Sequence, residues 1–323
     1  MYYNNNMTER YDYILIDTLN LAYKTFVNKK ELPEPVMNNK VIYKESVCNF
    51  IHAVDFLKDK FGHGSTEIYF LTDNFYTKDL QSCFMNGERK ELSESYKKTR
   101  KKENKEFYRS VSFVLWYYMA NPSNYYCVRV RGLEADDLVK PIIKLKGLSD
   151  KKCLMVTSDL DWCRYLSHNI HWLPKLGGEP EDSEYLRQKL GFQITENNVI
   201  LYKAIFGDES DNIAQIVHKT EKNKSQLVEL MDILEYPERI VLMARDTNMQ
   251  KKYPILTSIN ENERQTIINI QLVSSINKDY TQVEKGIIQG NDEKKLYSVI
   301  RKAIGLDLSE EDFSFGQIRR PRA

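Results

Sequence analysis

The sequence predicts an α/β fold with a mostly parallel central sheet flanked by helices, plus a helical C-terminal region. Three short apolar runs predict the sheet: Tyr13–Ile16, Ile68–Thr72 and Cys153–Ser158. They do not alternate with polar residues, which is typical of strands buried on both faces. The segments 46–61 and 133–146 instead repeat apolar residues with helical spacing. Strands that alternate with helices favour right-handed crossovers and a parallel sheet.

Each of these three runs ends in an aspartate: Asp17, Asp73 and Asp159. In open α/β sheets, ligands bind outside the carboxyl ends of the strands. Any one of these acids could be an ordinary loop residue or helix N-cap. Three such acids at one edge of the sheet favour a ligand-binding crevice that all three face.

A second acidic cluster opens the helix predicted at 133–146. Glu134 and Asp137 are three residues apart and share a helix face. Asp136 can converge with them if Glu134 is the N-cap. The ordinary alternative is that these acids stabilise the helix start, or that Asp136 pairs with Lys140 one turn later.

Two more acidic pairs follow along the chain. Asp208 and Asp211 lie in the stretch 207–213, and Asp159 and Asp161 flank Leu160 in a segment predicted as a loop. A loop can aim both of the latter side chains inward, whereas a helix would not present residues i and i+2 together.

The clusters together hold nine carboxylates: Asp17, Asp73, Glu134, Asp136, Asp137, Asp159, Asp161, Asp208 and Asp211. Two like charges at ~4 Å repel by about 4 kcal/mol at an effective dielectric of about 20, so cations or protons must neutralise such a group. Oxygen-only ligands favour Mg²⁺ or Mn²⁺ over Zn²⁺. Two such ions about 3.5–4 Å apart could clamp the attacking and leaving oxygens of a phosphodiester. Surface acids and helix caps are the alternative interpretation.

A basic segment lies at about 78–109. Between Arg89 and Arg109 it holds nine Lys or Arg and four Glu, a local net charge of +5 in a chain whose total is +1. Such a run is either a solvated helix face or an arm that contacts phosphates.

Composition excludes several classes of protein. The 323 residues contain no apolar run long enough to cross a bilayer, and the first residues do not resemble a secretory signal. The five cysteines show neither a disulfide nor a zinc-site spacing. We therefore expect a monomeric cytoplasmic protein without a membrane partner.

Six stretches, in this order, resemble the structure-specific 5′-nuclease superfamily, which includes flap endonucleases and phage 5′-exonucleases of the phage RNase H type. They are 16–21 (IDTLNL), 72–74 (TDN), 96–100 (YKKTR), 132–137 (GLEADD), 157–162 (TSDLDW) and 207–213 (GDESDNI). The resemblance covers residues 11–213 and implies a PIN-like core with a basic helical arch at about 78–109.

The resemblance also implies roles for the carboxylates. One divalent cation would be held by Asp17, Asp73, Glu134 and Asp136. A second would be held by Asp136, Asp159, Asp161 and Asp208, with Asp137 and Asp211 as direct or water-mediated ligands.

The basic residues receive roles in the same way. Lys97 and Arg100 match catalytic residues at the base of the arch and would neutralise the scissile phosphate. Tyr96 would stack on a base. The other expected substrate contacts are Arg89, Lys98, Lys101 and Lys219.

The implied function is that of a two-metal 5′-3′ exonuclease and flap endonuclease acting in phage replication. Its substrates would be DNA with a 5′ end or flap and RNA primer–DNA duplexes. A single-strand-binding protein, clamp or polymerase is a further possible partner. The predicted domains are a core over 8–207, including the arch, and a helical region over 208–323. Two alternatives stay open: a PIN-type single-strand ribonuclease, and a non-catalytic branched-DNA binding or recruitment factor.

Three departures from the family pattern stand out. Thr18 follows the first aspartate where the family has glycine, and Pro141 predicts a kink in the 133–146 helix. After Ile213 the usual Gly-x-Gly hairpin is missing, so close backbone approach to duplex phosphate is not expected. Lys219, with Lys222 and Lys224, either replaces that contact or belongs to a solvated loop.

Overall fold

A six-stranded sheet with the order β7-β6-β1-β4-β5-β8 forms the centre of the protein. The computed structural model describes residues 10–26, 32, 34–37, 40–73, 93, 105–119, 124–130, 133–274 and 280–289. The strands are β1 Tyr13–Asp17, β2 Glu34–Met37, β3 Lys40–Ile42, β4 Glu67–Leu71, β5 Tyr125–Val128, β6 Cys153–Val156, β7 Ile170–Leu173 and β8 Ile287–Gln289. The α/β prediction with a mostly parallel sheet is confirmed, because five of the six strands of the central sheet, all but β8, pair in parallel. β2 and β3 form a separate antiparallel pair.

Helices cover both faces of this sheet. In the described residues they are α1 Thr18–Thr25, α2 Lys44–Phe61, α3 Lys105–Met119, α4 Ala135–Leu145, α5 Ser183–Leu190, α6 Glu196–Phe206, α7 Glu221–Met231, α8 Arg239–Ala244, α9 Thr247–Lys252, α10 Ile255–Glu261, α11 Glu263–Val273 and α12 Tyr280–Gly286. Short 3₁₀ turns span Leu148–Asp150, Leu160–Tyr165 and Glu209–Asp211. Among the described segments, none of the helices has the length and apolar character needed to span a bilayer.

The strands are buried on both sides, as their unbroken apolar runs predict. Ile14 and Phe70 point to the face covered by α2 and α3, whereas Leu15 and Tyr69 point to the opposite face. All four side chains are fully buried. Burying one such side chain stabilises a fold by about 1.5–3 kcal/mol, so these two layers fix the register of the sheet.

The helices from α6 onward share a single core with α4 and one face of the sheet. The chain leaves the helical conformation between α7 and α8, where Pro237 lies. Pro141 lies inside α4, which runs on to Leu145.

Residues beyond the predicted boundary at 207 also contribute to the sheet. β8 pairs antiparallel with β5, matching Ile288 to Cys127. The boundary itself stays a prediction.

Candidate active site at the carboxyl edge of the sheet

Four neighbouring strands bring the predicted acids to one edge of the sheet. β6, β1, β4 and β5 lie side by side and run in the same direction. Asp17 is the last residue of β1, Asp73 follows β4, and Asp159 follows β6. The acids at the start of α4 follow β5. Because the strands are parallel, all of these carboxylates lie at the same edge.

Asp17 is held by two neighbouring elements. One carboxylate oxygen accepts a hydrogen bond from the backbone N–H of Asn20 at 3.0 Å, as an N-cap does, and the other accepts from the Thr157 hydroxyl at 3.0 Å. Burial and the nearby charges of Asp73 and Asp159 raise the pKa of Asp17 to about 7. A buried carboxyl under such repulsion is poised to exchange its proton for a cation.

Asp73 is tied to the start of α4. Its Oδ1 accepts from the backbone N–H of Ala135 at 2.7 Å. Glu134 is the N-cap, as the convergence of Asp136 requires, and the Asp137 side chain accepts from the Glu134 N–H at 3.1 Å. A helix N-terminus favours these negative charges, since its unpaired N–H groups carry partial positive charge.

Thr18, the residue in place of the family's glycine, is fully buried. Its hydroxyl lies 3.0 Å from the Thr72 hydroxyl. This contact joins the carboxyl ends of β1 and β4. The Thr18 side chain, which a glycine would lack, therefore links the strand that ends in Asp17 to the strand that Asp73 follows.

Asp159 and Asp161 lie on a 3₁₀ turn rather than on a free loop. Asp159 caps this turn by accepting from the Asp161 N–H at 2.9 Å, while Leu160 between them is largely exposed. Burial and the charge of Asp161 raise the pKa of Asp159 to about 6. The turn keeps both acids beside the carboxyl end of β6, and their role at the site stays a prediction.

Lys203, on the last turns of α6, contacts two of the predicted acids. Its ammonium group pairs with Asp161 Oδ1, and lies 2.6 Å from Asp208 Oδ2. Burial disfavours the charge of Lys203, but the carboxylates of Asp161, Asp159 and Asp208 outweigh it and raise the lysine pKa. Burial likewise opposes ionisation of Asp208, yet Lys203 and Ser210 lower its pKa overall.

Arg164 is a second internal cation, and its side chain is fully buried. Its Nη2 lies 3.6 Å from Asp161 Oδ2 and 3.8 Å from Asp136 Oδ2. Nε donates to the backbone carbonyl of Asp161 at 2.6 Å, and Nη1 donates to that of Val273 at 2.8 Å. Val273 ends α11, so the guanidinium joins two acids to the C-terminal helices.

Comparison with known families decides the assignment. The family described as "5′-3′ exonuclease, N-terminal resolvase-like domain" matches residues 12–197, more than half of the chain. The chain belongs to this 5′-3′ exonuclease family. A search of curated proteins finds no match.

Solved structures share the fold of this chain. A bacteriophage T5 protein co-crystallised with metal ions has a TM-score of 0.60 and 15% identity, covering 90% of this chain and 99% of that chain. A bacteriophage T5 flap endonuclease complex with DNA and metal ions has a TM-score of 0.57 and 17% identity, covering 91% and 99%. Human GEN1 with Holliday junction DNA has a TM-score of 0.51 and 12% identity, covering 90% and 66%. The fold is that of the structure-specific 5′ nucleases.

The acidic side chains at this edge suit divalent cations. Carboxylate oxygens from four strand ends are the ligand type that Mg²⁺ and Mn²⁺ prefer. Among the residues that the structure describes, no three acids or histidines are yet arranged to hold one ion. Burial, with the neighbouring carboxylates second, raises the pKa of both Asp17 and Asp159, and a bound cation would oppose this effect.

The other predicted site residues have different positions. Asp211 is buried in the turn after α6, and Lys219 places its ammonium 4.8 Å from the centre of the Tyr202 ring. Lys140, the suggested partner of Asp136, pairs with Glu196 at 2.7 Å. The predicted residues of the basic segment lie outside the described residues: Arg89, Tyr96, Lys97, Lys98, Arg100 and Lys101.

Lys203 and Arg164 were not among the residues predicted from the sequence. Arg164 follows Asp161 by three residues, which is a helical spacing, but the segment was interpreted as a loop. Lys203 precedes Asp208 by five residues, and Gly207 between them has a non-helical backbone with φ 76° and ψ 171°. The spacing in the sequence therefore does not predict that the two side chains meet.

Asn269 of α11 supports the same half of the site. Its fully buried amide donates to the carbonyls of Ala204 at 2.8 Å and Ala214 at 2.7 Å, on either side of the Asp208–Asp211 turn. We expect Asn269→Ala to lower the free energy of unfolding by about 2–4 kcal/mol, because the buried Ala204 carbonyl and the partly buried Ala214 carbonyl both lose their donor. Urea unfolding measures this. Asn248→Ala, at an exposed position of α9, is the matched control, and an equal effect of the two would contradict the expectation.

Proposed function

We propose that this exonuclease is a divalent-cation-dependent hydrolase that cuts phosphodiesters at 5′ ends and 5′ flaps of DNA and of RNA-primed DNA. The observation that carries the proposal is the row of acids at the carboxyl edge of four parallel strands, in a chain of the 5′-3′ exonuclease family. The bacteriophage T5 flap endonuclease with the same fold was solved with DNA and metal ions, which supports both the substrate and the cofactor. We further propose a role in phage replication.

The proposed cation ligands form two sets, one for each ion. Asp17, Asp73, Glu134 and Asp136 would hold one Mg²⁺ or Mn²⁺ ion. Asp136, Asp159, Asp161 and Asp208 would hold another, with Asp137 and Asp211 in support. Bound divalent cations make water a stronger nucleophile and neutralise the charge of the phosphodiester.

The chain itself orients these acids before any substrate binds. Thr157 fixes one oxygen of Asp17, the Ala135 N–H fixes one oxygen of Asp73, and the Asp161 N–H fixes one oxygen of Asp159. Prior orientation avoids the cost of reorganising the site during the reaction. We propose that Lys97 and Arg100 supply positive charge to the scissile phosphate, and that Tyr96, Arg89, Lys98, Lys101 and Lys219 contact the substrate.

A product-length assay tests the proposal. A 5′-labelled flap, a blunt duplex, an RNA-primed duplex and unstructured RNA are incubated with EDTA, Mg²⁺ or Mn²⁺. We expect short or flap-length 5′ products from the flap and the RNA-primed duplex, and only with a divalent cation.

Two outcomes would contradict the proposal. Cleavage of unstructured RNA alone would indicate a PIN-type single-strand ribonuclease. Tight binding of the flap without hydrolysis under either cation would indicate a branched-DNA binding or recruitment factor.

A further inference from the structure

Two of the proposed cation ligands are already occupied by a side chain of the protein. Lys203 pairs with Asp161 through one oxygen of that carboxylate and lies 2.6 Å from Asp208 Oδ2. The remaining oxygen of Asp208 accepts from the N–H and hydroxyl of Ser210, at 2.9 and 2.7 Å. The positive charge of Lys203 thus lies where a cation bound by Asp161 and Asp208 would have to be.

The two internal cations of the site differ in how firmly they are held. Arg164 donates to two backbone carbonyls and its side chain is fully buried, so it is fixed in place. Lys203 is different, because its described partners are the two carboxylates and its side chain is 13% exposed. A lysine side chain has four flexible carbons and can move its ammonium toward solvent. Of the two internal cations, Lys203 is therefore the one whose charged group can move away from the carboxylates.

We propose that Lys203 is the resident counter-ion of Asp161 and Asp208, and that a divalent cation reaches these two carboxylates only by displacing its ammonium group. The inference rests on the proposed function, since it takes these acids as cation ligands. In this proposal Lys203 is a positioning residue, and its ammonium group makes the affinities of the two cation positions unequal. The position beside Asp17 fills first, and the position beside Asp161 and Asp208 fills at a higher cation concentration.

Binding of Mn²⁺ to the metal-free full chain, without DNA, tests this directly. Isothermal titration and electron paramagnetic resonance of free Mn²⁺ give the two dissociation constants. We expect Lys203→Met and Lys203→Gln to tighten the weaker constant by at least about tenfold, because a competing unit charge is removed. The stronger constant changes much less.

Lys224→Met is the matched control. It removes the same charge and breaks one ion pair, that of Lys224 with Glu221 at 2.8 Å on α7. We expect both constants to stay as in the unsubstituted chain. An unchanged or weakened second constant in the folded Lys203 variants would overturn the proposal.

A measurement on the unsubstituted chain covers the case in which the Lys203 variants do not fold. Acetylation by a small amine-reactive ester, followed by peptide mass spectrometry, reports how available Lys203 is. We expect its labelling to rise severalfold as Mn²⁺ saturates the second position, while labelling of Lys224 stays constant. Labelling of Lys203 that does not respond to Mn²⁺ would overturn the proposal.

The two proposals can fail separately. A chain that binds two Mn²⁺ ions with the expected response of Lys203, but cuts no flap, loses the proposed function and keeps this inference. A chain that cuts flaps while the Lys203 variants bind Mn²⁺ unchanged keeps the function and loses this inference.

Discussion

Replacing Asp17 by asparagine is expected to abolish flap cleavage and, at the same time, to stabilise the metal-free protein. The carboxylate is a proposed cation ligand, so its loss removes activity. It is also buried and close to Asp73 and Asp159, and its pKa is raised to about 7. An asparagine fits the same contacts, because its oxygen can accept from the Asn20 N–H and its amide can donate to Thr157.

The pH dependence of this stabilisation has a defined sign. Unfolded Asp17 loses its proton near its usual pKa of 3.8, whereas folded Asp17 keeps it up to about pH 7. The folded state of the unsubstituted chain is therefore progressively disfavoured as pH rises through this window. Relative to the unsubstituted chain, the free energy of unfolding of Asp17→Asn should be unchanged near pH 4 and higher by up to about 2–4 kcal/mol above pH 7.

Thermal unfolding in EDTA across this pH range measures the effect. Asp150→Asn, at an exposed position of a 3₁₀ turn, is the control and should leave both stability and cleavage unchanged. Added Mg²⁺ should raise the melting temperature of the unsubstituted chain and not that of Asp17→Asn. A destabilised Asp17→Asn variant at neutral pH would show that the charge of this carboxylate is compensated in the folded protein.

Gly207→Ala is expected to unfold the protein more easily and to reduce cleavage at least about a hundredfold. Gly207 has φ 76° and ψ 171°, a region that glycine alone adopts readily. An added Cβ would also lie 2.9 Å from both the Gln215 nitrogen and the Ile213 oxygen. The backbone must shift at the residue next to Asp208, and this displaces the Asp208 carboxylate. We expect the free energy of unfolding to fall by about 3 kcal/mol.

Gly191→Ala provides the comparison. Gly191 also has a positive φ, 84°, and also ends a helix, but no atom lies within 4 Å of its added Cβ. Its cost should be about 1 kcal/mol, with cleavage unchanged. Urea unfolding and single-turnover flap cleavage separate the two variants. Similar behaviour of both would mean that the turn after α6 does not control the position of Asp208.

The sequence predicted the parts of the site that depend on local pattern. Unbroken apolar runs located β1, β4 and β6, and therefore the acids that follow them. The spacing of Glu134 and Asp137 predicted the helix start that the structure confirms. Their roles as cation ligands stay a prediction.

Contacts between distant segments could not be predicted in this way. The pairing of Lys203 with Asp161 depends on how α6 packs beside the turn after β6, and the bond from Arg164 to Val273 joins residues far apart in the chain. β8 is only three residues long and has no pattern that separates it from a loop. Tertiary packing, rather than local preference, fixes these features.

The position of β8 also affects how the protein is made. Its partner β5 ends at Val128, but β8 begins at Ile287. The ribosome therefore synthesises β5 long before it synthesises β8. At about 5–20 residues per second, the outer edge of β5 stays unpaired for roughly 8–30 s. An unpaired strand edge invites pairing with other chains, so the nascent polypeptide passes through an aggregation-prone stage. Expression of residues 12–197 alone would leave this edge of β5 without its partner strand β8.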